Sequence, residues 1–208
     1  MKEIVLNHPM ITHKLSVLRD KNTATKEFRE IISEISIILC YEATKNIKLH
    51  DTTIETPLET YETKCINEDD FAFVPILRAG MSMIDGILKV MPTAKIGHIG
   101  LYRNEETLEP VEYYYKMPNN IETREVFVLD PMLATGGSAI ATIDRLKKDG
   151  VKKINFLCVI ASPEGIENIK KVHNDVQIYC ANIDRCLNEN GYILPGLGDA
   201  GDRVYGTK

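Results

Sequence analysis

From residue 71 onward, short apolar segments alternate with amphipathic ones, and this alternation limits the folds available to the chain. Segments rich in β-branched and aromatic residues predict strands at 71–77, 94–102, 111–116, 126–129, 154–161 and 176–181. Apolar residues at helical spacing predict helices at 81–90, 138–148 and 164–172. A helix that connects two successive strands usually makes them parallel neighbours in one sheet. We therefore expect an α/β fold: a mostly parallel sheet with helices on both faces.

The regions on either side of this alternation have a different composition. Residues 11–18 and 23–44 predict N-terminal helices, whereas the threonine- and glutamate-rich residues 51–66 predict a connection with at most a short strand. The tail, residues 188–208, has too many glycines for a helix or a regular strand. Its tyrosine and leucine side chains nevertheless favour docking against the core over disorder. We therefore expect one domain over residues 1–208.

The bulk composition argues against several classes of protein. A net charge of −5 is unlike that of proteins that bind nucleic acid through its phosphates, so we expect no nucleic-acid partner. No targeting segment or membrane-spanning apolar run is found, which favours a cytoplasmic protein without a membrane partner. The five cysteines form no C-x-x-C pair and the five histidines are scattered, so we expect buried reduced thiols and no histidine-based metal site.

Polar residues follow three of the predicted strands at the point where each strand ends. Arg78 comes after VPIL, Arg103 after IGLY and Asp130 after VFVL. In sheets of this class, ligands bind beyond the carboxyl ends of the strands. The three residues are therefore candidates for one ligand site.

The segment VFVLDPMLATGGSA has the residue types that a terminal phosphate needs. Gly136 and Gly137 allow a ligand to approach the backbone, and Thr135 and Ser138 add hydroxyl donors next to a helix start. Asp130 would repel a phosphate, so it would accept from sugar hydroxyls or lie near a metal ion. On these residues alone, an ordinary strand–helix turn with Ser138 as the helix N-cap remains an alternative.

The same segment resembles the phosphoribosyl-pyrophosphate (PRPP) motif of the type I phosphoribosyltransferases. Most members have two adjacent acids after the strand, but here Pro131 takes the second place, as it does in the uracil phosphoribosyltransferase branch. Three further segments are similar to that branch: VPILRAGMSMIDG (74–86), HIGLYRNEETLEPVEYYYKMP (98–118) and GYILPGLGDAGDRVYGT (191–207). The resemblance covers nearly the whole chain.

The resemblance implies an organisation and a reaction. It implies a core at about residues 70–182, a mobile β-arm at about 102–118 and a C-terminal base-binding hood at about 186–208. The implied enzyme is a pentosyltransferase that makes UMP and pyrophosphate from uracil and PRPP with Mg²⁺. We interpret Tyr113–Tyr115, in the arm, as packing residues rather than as a surface for stacking bases.

The resemblance also implies roles for single residues. The implied PRPP contacts are Arg78, Arg103, Asp130, Pro131, Met132, Leu133, Ala134, Thr135, Gly136, Gly137, Ser138 and Asp199. The implied uracil contacts are Ile193, Gly198, Asp199 and Ala200. Asp130, Asp199 and Arg103 are the implied catalytic residues, and Mg²⁺ would be held mainly through PRPP, with Asp199 as a candidate protein contact. No residue is identified as a general base for uracil N1.

Two alternatives stay open at this point. One is a phosphoribosyltransferase for another base, and the other is a nucleotide-responsive RNA-binding regulator built on the same fold. The acidic charge and the full set of motifs count against the regulator. Members of the family commonly form homodimers or larger homo-oligomers, and GTP activates some of them, which makes GTP a candidate activator.

Overall fold

The computed structural model describes residues 3–103 and 110–207, apart from the side chain of Arg103. The strands are β1 (Glu3–Val5), β2 (His50–Glu55), β3 (Thr60–Cys65), β4 (Phe71–Leu77), β5 (Lys95–Ile96), β6 (His98–Arg103), β7 (Pro110–Lys116), β8 (Glu125–Leu129), β9 (Met132–Leu133), β10 (Lys153–Ala161), β11 (Gln177–Ile183), β12 (Cys186–Leu187) and β13 (Ile193–Leu194). The α-helices are α1 (Pro9–Arg19), α2 (Thr25–Ala43), α3 (Ile84–Val90), α4 (Gly137–Lys148), α5 (Pro163–Val172) and α6 (Ala200–Tyr205).

The central sheet runs in the order β1-β11-β10-β8-β4-β6-β7. Short strands β5 and β9 add to β4 and β10. All pairings in it are parallel except that of β7 with β6. Strand β8 lies between β10 and β4, so its carboxyl end is near the middle of the sheet edge.

Alternate residues of the central strands pack on opposite faces of the sheet. Phe73 and Phe127 stack with ring centroids 5.0 Å apart and belong to the apolar cluster that includes α1, α2 and α3. Their neighbours Val74 and Val128 belong to a second cluster, with apolar residues of α4 and α5. Because strand side chains alternate between faces, apolar runs without polar gaps become strands that are buried on both sides. The prediction of helices on both faces is confirmed.

Three local predictions were wrong. Residues 51–66 form a β-hairpin, paired from His50–Cys65 to Glu55–Thr60, instead of a mere connection. Both faces of the hairpin are largely exposed and polar, so no hydrophobic alternation marked it. The helix predicted at 81–90 starts as a 3₁₀ turn at Ala79–Met83, and the glycine-rich tail contains strand β13 and helix α6.

The expectation of buried thiols holds for three of the five cysteines. All five cysteines are free thiols; Cys40, Cys158 and Cys180 are buried, Cys186 is partly buried and Cys65 is exposed. Within residues 3–103 and 110–207, no helix is long and apolar enough to cross a bilayer.

Candidate active site

The carboxyl ends of the parallel strands bring several polar residues to one edge of the sheet. Arg78 follows β4 and Asp130 follows β8, and these two strands are directly paired. Gly80 allows the chain after β4 to pass against the end of β8, because a Cβ there would lie 2.4 Å from the carbonyl oxygen of Leu129. The close approach of these two loops therefore requires a glycine.

The loop between β9 and α4 is the predicted phosphate loop. Gly136 has a positive φ of 86° and is the N-cap residue of α4, so the alternative that made Ser138 the cap is wrong. Helix α4 thus begins directly behind the loop, and a helix N-terminus attracts anions. Ser138 is exposed, and the hydroxyl of Thr135 lies 3.5 Å from the N–H of Gly137.

Helix α5 holds this loop from the side away from the cavity. The Asn168 amide donates to the carbonyl of Thr135 at 3.1 Å, and the Ser162 hydroxyl donates to that of Ala134 at 2.6 Å. Gly165 allows the close contact, because a Cβ there would lie 2.2 Å from the Ala134 oxygen. Since these carbonyls are already paired, the loop can offer a ligand its N–H groups and hydroxyls.

Asp130 is a partly buried carboxylate that faces a cavity. Its Oδ1 accepts from the N–H of Met132 at 3.2 Å. Burial raises the pKa of Asp130 to about 7; the Met132 hydrogen bond opposes this effect, and the negative charge of Asp199 adds to it. The two acids at this site favour a ligand that carries hydroxyl groups or a positive charge.

Three adjoining cavities connect Asp130 with the phosphate loop. One of about 300 Å³ is lined by Asp130, Met132, Asp199, Ala200 and residues 190–192. A second, of about 340 Å³, shares Asp199 and extends to the hydroxyls of the phosphate loop. A third, of about 80 Å³, lies within the loop itself. The three cavities share lining residues, with Gly191 and Asp199 common to the two larger ones, and together they offer space for a phosphorylated sugar beside a small base.

One residue of the predicted PRPP segment, Pro131, does not line the cavity that the other residues of the segment line. Pro131 is buried, and its carbonyl accepts from the N–H groups of Val159 and Ile160 at 3.0 and 3.1 Å. The other predicted residues of the segment line the smallest cavity: Asp130, Met132, Leu133, Ala134, Thr135, Gly136, Gly137 and Ser138. Pro131 thus joins the segment to the sheet and lies away from the cavity.

The C-terminal tail returns to the sheet edge and adds the second acid. Asp199 is the N-cap of α6, where its Oδ1 accepts from the N–H of Asp202 at 2.9 Å. Asp199 and Ala200, two of the predicted uracil contacts, line the 300 Å³ cavity. Ile193 is instead buried in the core, 3% exposed, and Gly198 is exposed with φ of 79°. Neither of those two residues lines the three cavities.

Sequence reasoning missed the cavity residues Asn190, Gly191 and Tyr192. Gly191 and Tyr192 begin the segment GYILPGLGDAGD, so their position next to the predicted uracil contacts was the available signal.

Arg78 lies between the sheet edge and the tail. Its guanidinium is 3.8 Å from Asp202 and 5.9 Å from the ring centroid of Tyr205, whose hydroxyl donates to the Arg78 carbonyl at 3.0 Å. The Leu77–Arg78 peptide bond is cis. The side chain is 60% exposed, so it is available to an incoming anion.

The predicted arm at about residues 102–118 is described at 102–103 and 110–118. Residues 104–109 and the side chain of Arg103 lie outside the described part, although the backbone of Arg103 ends β6. Tyr115 donates to Asp149 at 2.5 Å, and the Arg145 guanidinium lies 4.0 Å from its ring centroid. These contacts join β7 to α4, so Tyr115 packs as predicted, whereas Tyr113 and Tyr114 are exposed.

Comparisons with known proteins agree with this geometry. A family model described as uracil phosphoribosyltransferase matches residues 5–207. A uracil phosphoribosyltransferase of Dictyoglomus thermophilum is 58% identical over 205 residues, covering 99% of both chains. One from a Geobacillus species is 56% identical over 207 residues, covering 100% of this chain and 99% of the relative.

Solved structures agree as well. The AQ2163 protein from Aquifex aeolicus superposes with a TM-score of 0.92 at 41% identity, covering 98% of this chain and 97% of that one. A hypoxanthine-guanine phosphoribosyltransferase from Bacillus anthracis shares the fold alone, with a TM-score of 0.51 at 11% identity over 77% of this chain and 80% of that one. By sequence over its whole length and by the arrangement of its sheet edge, the chain belongs to the uracil phosphoribosyltransferase family.

Proposed function

We propose that the chain transfers the 5-phosphoribosyl group of PRPP to N1 of uracil and releases pyrophosphate, giving UMP. The observation that carries this proposal is the group of adjoining cavities that are lined by Asp130, Asp199 and the phosphate loop. A sugar phosphate and a small flat base fit such a space end to end. The main task of the protein is to hold the two reactants in line, because orientation alone removes a large part of the barrier.

The residues divide the substrate between them. Thr135, Gly136, Gly137 and Ser138 hold the 5′-phosphate at the start of α4. Asp130, in its ionised form, accepts from the ribose hydroxyls at the same cavity wall. Met132, Leu133 and Ala134 shape that wall, whereas the role of Pro131 is indirect.

The leaving pyrophosphate needs positive charge, since charge grows on it as the bond to C1 breaks. Arg78 lies at the open side of the site with a largely exposed guanidinium. A planar guanidinium can bind two phosphate oxygens at once. We assign Arg103 to the same anion from its place at the end of β6, next to the arm that would exclude water.

The described residues of the site could supply only part of a magnesium coordination shell. Within the described part of the chain, no group of three or more His, Cys, Asp or Glu residues could hold a metal ion. Asp199 and Asp130 are carboxylates that repel each other, and a hard cation prefers oxygen ligands of this kind. We propose that Asp199 contacts Mg²⁺ while PRPP oxygens supply most of the ligands. The ion would supply charge neutralisation of the leaving group.

Uracil is assigned to the tail. Ala200 and Asp199 line the cavity beyond the sugar position, and Ile193 and Gly198 would contribute backbone groups that match the donors and acceptors on the edge of the base. We further propose the organisation into a core, an arm and a C-terminal hood, a cytoplasmic location and a homodimeric or larger assembly.

The test is a direct assay. The protein is mixed with uracil, PRPP and Mg²⁺, and UMP and pyrophosphate are measured, with cytosine and hypoxanthine as competing bases and with or without GTP. Asp130→Asn is expected to lower kcat/KM for PRPP at least about tenfold. The matched control is Asp51→Asn, on the hairpin, where the side chain is 89% exposed. No UMP from the wild-type protein would refute the proposal.

A further inference from the structure

A second buried acid lies at the same sheet edge but outside the cavity. Asp184 follows β11 as Asp130 follows β8, and its side chain is fully buried. It accepts from both terminal nitrogens of Arg19, at 2.7 and 2.5 Å, and from the amide of Asn182 at 2.6 Å. Burial would raise the pKa of Asp184, yet the hydrogen bonds from Arg19, Asn182 and Gly196 hold it below its ordinary value.

Both members of this ion pair also hold the backbone of one residue in the tail. The N–H of Gly196 donates to Asp184 at 2.9 Å, and the carbonyl of Gly196 accepts from Arg19 at 2.7 Å. Gly196 has a φ of 66°, and a Cβ there would lie 2.1 Å from the carbonyl oxygen of Ile193. The turn between Ile193 and Gly198 therefore needs a glycine at position 196, and the ion pair holds the backbone of that glycine through two hydrogen bonds.

Arg203 connects Leu197, the residue after Gly196, to the same end of α1. Arg203 donates to the carbonyls of Leu197, Leu18 and Asp20 at 2.9, 2.6 and 2.6 Å. The end of helix α1 is thus attached to the tail at two successive residues. Because Arg203 still holds Leu197 when the ion pair is lost, the tail is expected to stay docked in variants of the ion pair.

We propose that the Arg19–Asp184 pair positions the uracil-binding turn and so sets the affinity for the base. This proposal rests on the proposed function. Neither side chain lines the cavity that holds Asp130, so both are positioning residues that act through Gly196. A rigid turn holds backbone donors and acceptors at fixed spacing, which a small base needs because it has few other contacts.

Loss of the planar Arg19 guanidinium should raise KM for uracil more than KM for PRPP. Arg19→Lys keeps the charge but cannot hold Asp184 twice and the Gly196 carbonyl as well, since a lysine lacks the planar fork. We expect KM for uracil to rise about tenfold or more, with KM for PRPP unchanged within about twofold. Asp184→Asn tests the pair from the other side, because it removes the charge and keeps the shape.

A control variant on the same helix separates positioning from general weakening of α1. Lys14, five residues before Arg19 in α1, pairs with Glu34 of α2 at 2.5 Å. Lys14→Gln removes an ion pair between elements and should leave both KM values unchanged. Circular dichroism and thermal unfolding verify that each variant is folded.

Chemical rescue tests whether the change in KM for uracil comes from the missing guanidinium group itself. Arg19 lines a separate cavity of about 280 Å³ with Thr12, Ser16 and Asn182, so a small guanidinium compound can reach its place. In Arg19→Ala, millimolar methylguanidine should lower KM for uracil towards the wild-type value, and it should have no such effect on the wild-type protein.

The outcomes distinguish the two proposals. No UMP from the wild-type protein would overturn the proposed function, and this inference with it. Wild-type activity combined with an unchanged KM for uracil in Arg19→Lys and Asp184→Asn would overturn the positioning role alone. Equal increases in both KM values, or rescue absent from Arg19→Ala, would also overturn it.

Discussion

Replacing Asp130 with asparagine should stabilise the ligand-free protein while it damages the proposed site. Burial, with a contribution from Asp199, raises the pKa of Asp130 from an ordinary value of 3.8 to about 7. In the folded protein the ionised carboxylate is therefore unfavourable. Asparagine has nearly the same shape, keeps an oxygen that can accept from the N–H of Met132, and carries no charge.

The sign follows from proton linkage. Between about pH 4 and 7 the folded state binds more protons at Asp130 than the unfolded state does, so the free energy of unfolding falls as pH rises through this window and is level above it. At 1.36 kcal/mol per pKa unit, the full difference is about 4 kcal/mol. Part of the carboxylate meets solvent in the cavity, and the solvent screens its charge. We therefore expect the difference in free energy of unfolding between Asp130→Asn and wild type to grow by about 1–3 kcal/mol from about pH 4.5 to 8.5, in favour of Asp130→Asn.

Urea unfolding followed by far-UV circular dichroism measures this gain, since the chain has no tryptophan for a fluorescence signal. Unfolding curves are recorded for wild type, Asp130→Asn and Asp51→Asn over the pH series without ligand. The exposed Asp51 gives the effect of removing one negative charge from the surface. An Asp130→Asn protein that is no more stable than wild type at high pH, or a gain that does not change with pH, would refute the argument.

Three further predictions test the neighbouring parts of the site. The ratio of wild-type to Asp130→Asn kcat/KM for PRPP should rise severalfold from about pH 6 to 8, as the carboxylate ionises; a flat ratio from steady-state kinetics would contradict its role. Gly165→Ala places a Cβ 2.2 Å from the Ala134 carbonyl and should raise KM for PRPP at least about tenfold, while KM for uracil changes little. Tyr115→Phe removes the hydrogen bond to Asp149 and should cost about 1–2 kcal/mol in urea unfolding, with less than about 0.5 kcal/mol counting against the contact.

The local pattern predicted the central strands and helices because their periodicity is a property of neighbouring residues. Strand β4 begins and ends where the apolar run FAFVPIL does, and α4 and α5 differ by one residue from their predicted starts. The hairpin β2–β3 could not be predicted in this way, since it buries little and so needs no apolar alternation. The helix in the tail was hidden by the glycines around it: Gly198 and Gly206 have positive φ on either side of it, and Gly201 lies within it.

The sequence by itself determined the α/β class and, through the motif with Pro131, the resemblance to the family, and it predicted a phosphate loop after β8. Only the tertiary structure decided that burial, with a contribution from Asp199, raises the pKa of Asp130 to about 7, and that Asp184 and Arg19 hold Gly196. The physical reason is distance along the chain. Periodicity reports which face of an element is buried, but a pKa or an ion pair depends on atoms from several elements, and packing alone brings these together.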